Sequence, residues 1–340
     1  MRHTVKALIK RATYAVVSMA AVATCTISIR AAEPPTLTPA APATTDTEPF
    51  AQLCACSITA HALTSKAGLE YRIFISAPRA AAPPGGFPVI YVVDGNAHTS
   101  LIADIVRYQE GLMGPAVVVG IGYPTEAMSD AWRRAYDFTP PGAILHPEPE
   151  AAPFKTGGAD LFLDFIESSV KPFVRSQLQI DPTRQALFGH SLGGLFVVHA
   201  MFVKPDAFGT FVAASPSIFW NDRAVLAGEQ AFESAIGAHK SVRVLITVGE
   251  LESSINEPRM SRLALAHPDM LRSKSIPDWL GRLRKDVVAA RMIENARELA
   301  ERLAAKGLDA RFVVFPGEDH NSEVVDAFNR GVPFALGPFF

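Results

Sequence analysis

The chain has 340 residues, 49% of them hydrophobic and 19% charged, with a formal net charge of -2. That is enough apolar material for one large α/β domain or two small ones. The near-neutral balance, with no long basic run, argues against a nucleic-acid surface, and three cysteines (Cys25, Cys54, Cys56) make no zinc-type quartet.

In chain order, residues 1–32 read as a signal peptide. Arg2, His3, Lys6, Lys10 and Arg11 give a basic start, "ATYAVVSMAAVATCTISI" an apolar stretch, and "RAAEPP" small residues near a cleavage point. The competing reading is a membrane anchor, but the stretch is borderline in length and carries Ser and Thr throughout. Thr24 fits a lipoprotein signal poorly, so Cys25 is expected to leave with the leader rather than carry a lipid. Residues 33–56 are rich in Pro, Thr and Ala and read as a linker. A catalytic domain is expected over 57–340, periplasmic or secreted, without stable membrane insertion once the leader is removed; a retained leader would tether it.

The domain opens with a hairpin, "SITAHALTS" and "EYRIFISAP" joined by "KAGL". "FPVIYVVDG" and "AVVVGIGYP" are continuous apolar runs of the kind found in strands buried on both faces. "GADLFLDFIESSVKPFVRSQL" has helical spacing, with Pro172 expected to kink or break it. Then come strand "QALFG", helix "GGLFVVHAMFVKP", and strands "FGTFVAASPS" and "SVRVLITVGE". A long helix from about Ile276 to Lys306, strand "DARFVVFPG" and helix "EVVDAFNRGVPFAL" close the chain. Alternating strands and helices predict an α/β-hydrolase fold: a mostly parallel central sheet, helices on both faces, an N-terminal antiparallel hairpin. An irregular insert from Thr125 and the helical segment after Glu252 are expected to wall a pocket beyond the carboxyl ends of the strands.

Gly189-His190-Ser191-Leu192-Gly193 is G-x-S-x-G between a buried strand and a helix. The motif puts a serine on a strained turn where neighbouring side chains must be small. Ser191 is therefore the candidate nucleophile, and the Leu192 amide points to where negative charge would develop. A serine needs a base, and in this strand order the sequence runs Ser, acid, His. His320, in "FPGEDHNS" after the last strand, is the candidate. His199 reads as a helix-face residue, His239 as lying at the wrong end of a strand, and His267 as part of the insert. The acid should follow "LITVG", which leaves Glu252 or Glu250, with Asp319 too close in sequence to buttress His320. A second oxyanion donor is expected in "DGNAH", from the amide of Gly95 or Asn96.

"YVVDGN", "RRAYDFTP", "FGHSLGGLF", "AASPSIFWND", "VGELE" and "FPGEDHNS" together resemble the Putative esterase (esterase-D-like) family of α/β-hydrolases. Within it they are most similar to periplasmic siderophore esterases that open the trilactone of enterobactin and salmochelin. The resemblance spans roughly Ser57 to Leu336. It implies Ser191 and His320 for chemistry, in some members as a Ser–His dyad without a well-placed acid, and Arg133 or Arg134 with Trp220 along the substrate pocket. An arginine and an aromatic face suit an anionic, aromatic catecholate; the alternative is surface ion pairs and a core tryptophan. The expected function is an exported serine carboxylesterase working through an acyl-enzyme on a small-molecule ester, with no metal or organic cofactor. The alternatives are an envelope acyltransferase on the same fold and a non-catalytic siderophore or glycan binder.

Overall fold

The computed structural model describes residues 58–142, 155–235, 241–266, 271 and 275–337. The expected leader and linker, all three cysteines, His239 and His267 lie outside the described residues.

The antiparallel hairpin is β1 (Ile58–Thr64) and β2 (Glu70–Ser76). Then follow β3 (Phe87–Val93), α1 (Gly95–Met113), β4 (Val117–Gly122) and α2 (Ala131–Asp137). Next are α3 (Ala159–Phe165), α4 (Lys171–Gln177), β5 (Ile180–His190), α5 (Leu192–Val203), β6 (Thr210–Ala214) and α6 (Glu229–Ala235). The last third holds β7 (Arg243–Gly249), α7 (Glu257–Ala266), α8 (Ile276–Ala290), α9 (Met292–Ala305), β8 (Asp309–Phe315) and α10 (Glu323–Leu336). The eight strands among the described residues form one sheet in the order β1-β2-β4-β3-β5-β6-β7-β8, parallel from β4 through β8, with the hairpin joined antiparallel to β4.

The period of two in a pleated strand explains how continuous apolar runs build two cores. From β3, Val89, Tyr91 and Val93 point into one core with the phenylalanines of α3 and α5, while Ile90 and Val92 point into the other with α1 and α10. Both faces of the sheet are thus covered, as expected from the alternation of elements. The first core is densely aromatic. The Phe162 ring lies 5.0 Å from Phe196, 5.4 Å from Tyr71 and 5.6 Å from Phe138, centroid to centroid.

Two expected helices differ in detail. The helix carrying Pro172 is not broken: a π-helical turn over Ile166–Val170 joins α3 to α4, and Pro172 follows just after this irregular turn. The long helix expected from Ile276 is two helices, because Arg291 takes a left-handed conformation (φ 48°, ψ 45°) and turns the chain between α8 and α9. α7 and α8 then pack on each other through Met260, Leu280 and Leu283, beside the carboxyl end of β7.

Phe162→Ala should cost about 3–5 kcal/mol, because a fully enclosed ring leaves a cavity its aromatic neighbours cannot fill. The denaturant midpoint measures it; a change below about 1 kcal/mol would contradict the packing described.

Candidate active site

The site lies at the carboxyl edge of the parallel strands. β5 delivers Gly189 and His190, the chain turns at Ser191, and α5 begins at Leu192. Ser191 has φ 62° and ψ -118°, a conformation that L-residues avoid. Glycine is required beside it: a Cβ on Gly189 would stand 2.4 Å from the Gly193 carbonyl oxygen. The turn is held from outside. Ser191 N–H donates to the Ala214 carbonyl at 2.9 Å, and the Ser217 N–H donates to the Ser191 carbonyl at 3.1 Å.

Ser191 Oγ lies 2.9 Å from His320 Nε2, and His320 Nδ1 lies 2.8 Å from Glu252 Oε2. An ionised carboxylate can only accept, so Nδ1 carries the proton and Nε2 is free to accept from the serine hydroxyl. Glu252 Oε1 also accepts the Gly249 N–H at 2.7 Å. Burial alone would lower the His320 imidazole; the Glu252 carboxylate, by charge and hydrogen bond, outweighs burial and leaves it above its ordinary value. His190 is pushed well below the ordinary value, by burial first and then by the neighbouring His320. It is therefore neutral, and its Nε2–H donates to the His320 carbonyl at 2.7 Å, fixing the loop that carries the base.

Of the two candidate acids, the structure brings Glu252 to the histidine. Glu250 Oε2 instead accepts the Gly317 N–H at 2.8 Å. Asp319 turns away, accepting the amides of Asn321 and Ser322 and pairing with Arg259 of α7. His199 is enclosed in α5 with Asp160 at 2.7 Å. Leu192 opens α5, and Gly95 and Asn96 open α1, so all three amides belong to first turns, whose N–H groups have no acceptor within the helix. Gly95 packs directly on β4: a Cβ there would meet the Gly120 carbonyl carbon at 2.7 Å. The Asn96 side chain is committed to the exit of β4, accepting from Tyr123 N and donating to the Tyr123 and Thr125 carbonyls. Only its backbone is left to face a ligand.

The residues expected along a substrate pocket are placed differently. Arg134 is buried and donates through Nε and Nη2 to the two oxygens of Asp94 at 3.1 and 2.9 Å, where β3 ends. Trp220 lies in the first apolar core, 3% exposed, so it presents no open face. Arg133 is the half-buried one, its guanidinium stacked 4.7 Å over Tyr71 and 5.3 Å over Tyr123. An apolar cavity opens beside His320 and Asn321, walled by Leu251, Ile255, Met260 and Met292.

Sequence reasoning missed two polar residues behind the acid, Ser215 and Glu323. Ser215 Oγ lies 2.5 Å from Glu252 Oε1 and 2.6 Å from Glu323 Oε1. Glu323 had a readable signal: with Ala327, Phe328, Gly331 and Val332 it falls at helical spacing on the buried face of α10, where a carboxylate is out of place.

The model of the family described as Putative esterase matches residues 64–335. The ferri-bacillibactin esterase BesA of Bacillus subtilis is 39% identical over 79% of this chain and 85% of its own. A siderophore triacetylfusarinine C esterase of Aspergillus fumigatus is 34% identical over 73% of this chain and 81% of its own. Among solved structures, the siderophore hydrolase EstA from Aspergillus nidulans superposes with a TM-score of 0.70 at 32% identity, covering 87% of this chain and 98% of that one.

The elbow geometry predicts that Gly189→Ala lowers the thermal midpoint and loses Ser191 reactivity, because its methyl group has no room against backbone. Gly111→Ala, in α1 where a Cβ meets nothing within 4 Å, should be neutral or stabilising by about 0.4–1 kcal/mol. Differential scanning calorimetry separates the two; equal midpoints would contradict the crowding described.

Proposed function

The chain belongs to the Putative esterase family, and from that premise and its site we infer that it is a serine carboxylesterase of siderophore esters. The observation that carries the reading is the unbroken line of hydrogen bonds from Ser191 Oγ through His320 to Glu252.

In this reading Ser191 Oγ attacks the ester carbonyl while His320 Nε2 takes its proton. Glu252 holds the imidazole in the tautomer that leaves Nε2 free, then stabilises the imidazolium. The amide of Leu192, with that of Gly95 or Asn96, receives the oxyanion at two helix N-termini. The imidazolium returns its proton to the leaving alkoxide. Water, deprotonated by His320, then attacks the acyl-enzyme; the imidazolium returns that proton to Ser191 Oγ as the acid leaves.

Family membership and the names of two relatives, esterases of two different siderophores, support a siderophore polyester as substrate. A trilactone is the form the sequence resemblance favours. The half-exposed Arg133 supplies a cation for an anionic ligand, and the apolar cavity beside His320 supplies contact area. Trp220 and Arg134 act in this proposal from behind, Trp220 by packing and Arg134 by holding Asp94 at the mouth of α1. Export follows from the basic and apolar leader. No helix among the described residues is long and apolar enough to cross a membrane.

Ser191→Ala should lower kcat on p-nitrophenyl and siderophore esters by roughly 10⁴-fold or more, with the fold intact by circular dichroism. Surviving activity would end the nucleophile assignment. For the substrate, ferric and iron-free enterobactin are incubated beside simple acyl esters, and dihydroxybenzoyl-serine fragments are expected from the siderophore. Their absence with both forms would remove the trilactone.

The pH dependence has a definite sign. The base must be neutral, and Glu252 holds His320 above its ordinary value, so the acid limb of kcat/KM lies above the usual histidine range. Glu252→Gln removes that charge. It should move the acid limb to lower pH while cutting kcat roughly 10²–10⁴-fold. An unmoved limb would contradict the assignment of Glu252.

A further inference from the structure

A single hydroxyl stands between two buried carboxyls. Ser215 Oγ is 2.5 Å from Glu252 Oε1 and 2.6 Å from Glu323 Oε1, and both glutamates are closed off from solvent. A serine has one hydrogen to donate. Were both carboxyls ionised, one of these contacts would set an anionic oxygen against a lone pair where water cannot intervene. One carboxyl must therefore bring its own proton.

The partners decide which. Glu252 has two further donors, the His320 Nδ1–H and the Gly249 N–H. Glu323, fully enclosed, has among the described residues only the Thr247 hydroxyl at 3.2 Å besides Ser215 as a hydrogen-bond donor to its carboxyl. Among the described residues the neighbours supply no full cation while His320 is neutral. His190 Nε2, 3.8 Å away at the end of β5, belongs to a neutral ring. His320 on the loop before α10 is already paired with Glu252, and Glu252 after β7 is itself an anion. Farther out, His98 of α1 faces His190, Arg134 of α2 is bound to Asp94, and Asp319 at the foot of α10 pairs with Arg259.

We propose that Glu323 is a neutral, proton-carrying positioning residue for the triad: its carboxylic O–H donates to Ser215 Oγ, whose own hydrogen goes to Glu252 Oε1. The order is then Glu323 to Ser215 to Glu252 on one side, and Ser191 to His320 to Glu252 on the other. Glu252 receives a donor at each oxygen and remains the one anion behind the imidazole. Burial first, and the Glu252 charge with it, push Glu323 up to about 7 against the pull of its two hydroxyl partners and of His320, in keeping with this order. Above that pH a second anion appears beside Glu252, and the one Ser215 hydrogen serves two carboxylates.

This rests on the serine-esterase reading for its kinetic consequence but not for the location of the proton, and the tests separate the two. Full-length chain carrying ¹³C-carboxyl glutamate is measured by infrared spectroscopy at about pH 6, below the Glu323 transition. A protonated-carboxyl C=O band should be present, absent in Glu323→Gln and lost as pH rises through neutrality; labelling glutamate alone keeps aspartic acids silent. No difference between wild type and Glu323→Gln would overturn the proposal. If Glu323→Gln does not fold, Ser215→Ala reads the same proton, shifting the band as the acid loses its acceptor; an unshifted spectrum overturns it. Kinetically, Glu323→Leu should lower kcat roughly tenfold without changing KM, and Glu323→Gln, which can donate to Ser215 through its amide, should recover most of it. Activity surviving in Ser191→Ala would fell the esterase reading, while the infrared band would still decide the proton on Glu323.

Discussion

The backbone of Ser191 is the constraint on which the catalytic edge depends. Its conformation costs of the order of 1–3 kcal/mol on its own and persists because the surroundings over-determine it. The same device recurs along the sheet. Asp94 after β3, Ser191 after β5 and Ser215 after β6 all have positive φ, at 54°, 62° and 40°. Two of these turns are tied to the next strand, Ser191 N–H to the Ala214 carbonyl and Ser215 N–H to the Thr247 carbonyl. Each strand end thus aims one polar side chain along the same edge, and at Ser191 and Ser215 the next strand holds the turn there. Ser191, the buried Asp94 and the Ser215 hydroxyl behind Glu252 are three uses of one geometry.

That arrangement brings charge into a place with little water. Asp94 is matched by the two-point contact of Arg134; removing the arginine would leave a buried anion, a loss of about 3–5 kcal/mol. Glu252 is matched by three donors. Glu323 has no such set of partners, and its proton takes the place of a counter-ion. His190 lies between these groups as a neutral ring and is spent on holding the His320 carbonyl. His320 is therefore positioned twice, by its side chain through Glu252 and by its backbone through His190.

Much of this was legible because local pattern and global fold agree. The apolar runs of β3 through β7 have only one comfortable home, between two helical layers, and the G-x-S-x-G turn sits where the strand order puts a nucleophile. His320 and Glu252 could be picked out by their place after a strand, and the structure brings them together beside Ser191. What the sequence hid depended on distance in space. Arg134 and Trp220 carry the side chains of a binding pocket, yet one is drawn to Asp94, 40 residues earlier, and the other into the core. Ser215 looks like a strand-end serine, and its meaning comes from Glu323, 108 residues later. The split at Arg291 was invisible because the apolar spacing of α8 runs on into α9, and only a left-handed backbone at one ordinary residue separates them.

The central claim is that one serine among several on this edge is activated. Reaction of the folded chain with a fluorophosphonate, followed by peptide mass spectrometry, tests it directly, since only an activated serine reacts. The account predicts a single adduct on the peptide carrying Ser191, absent in His320→Ala. An adduct on Ser215 or Ser217, or none at all, would contradict it.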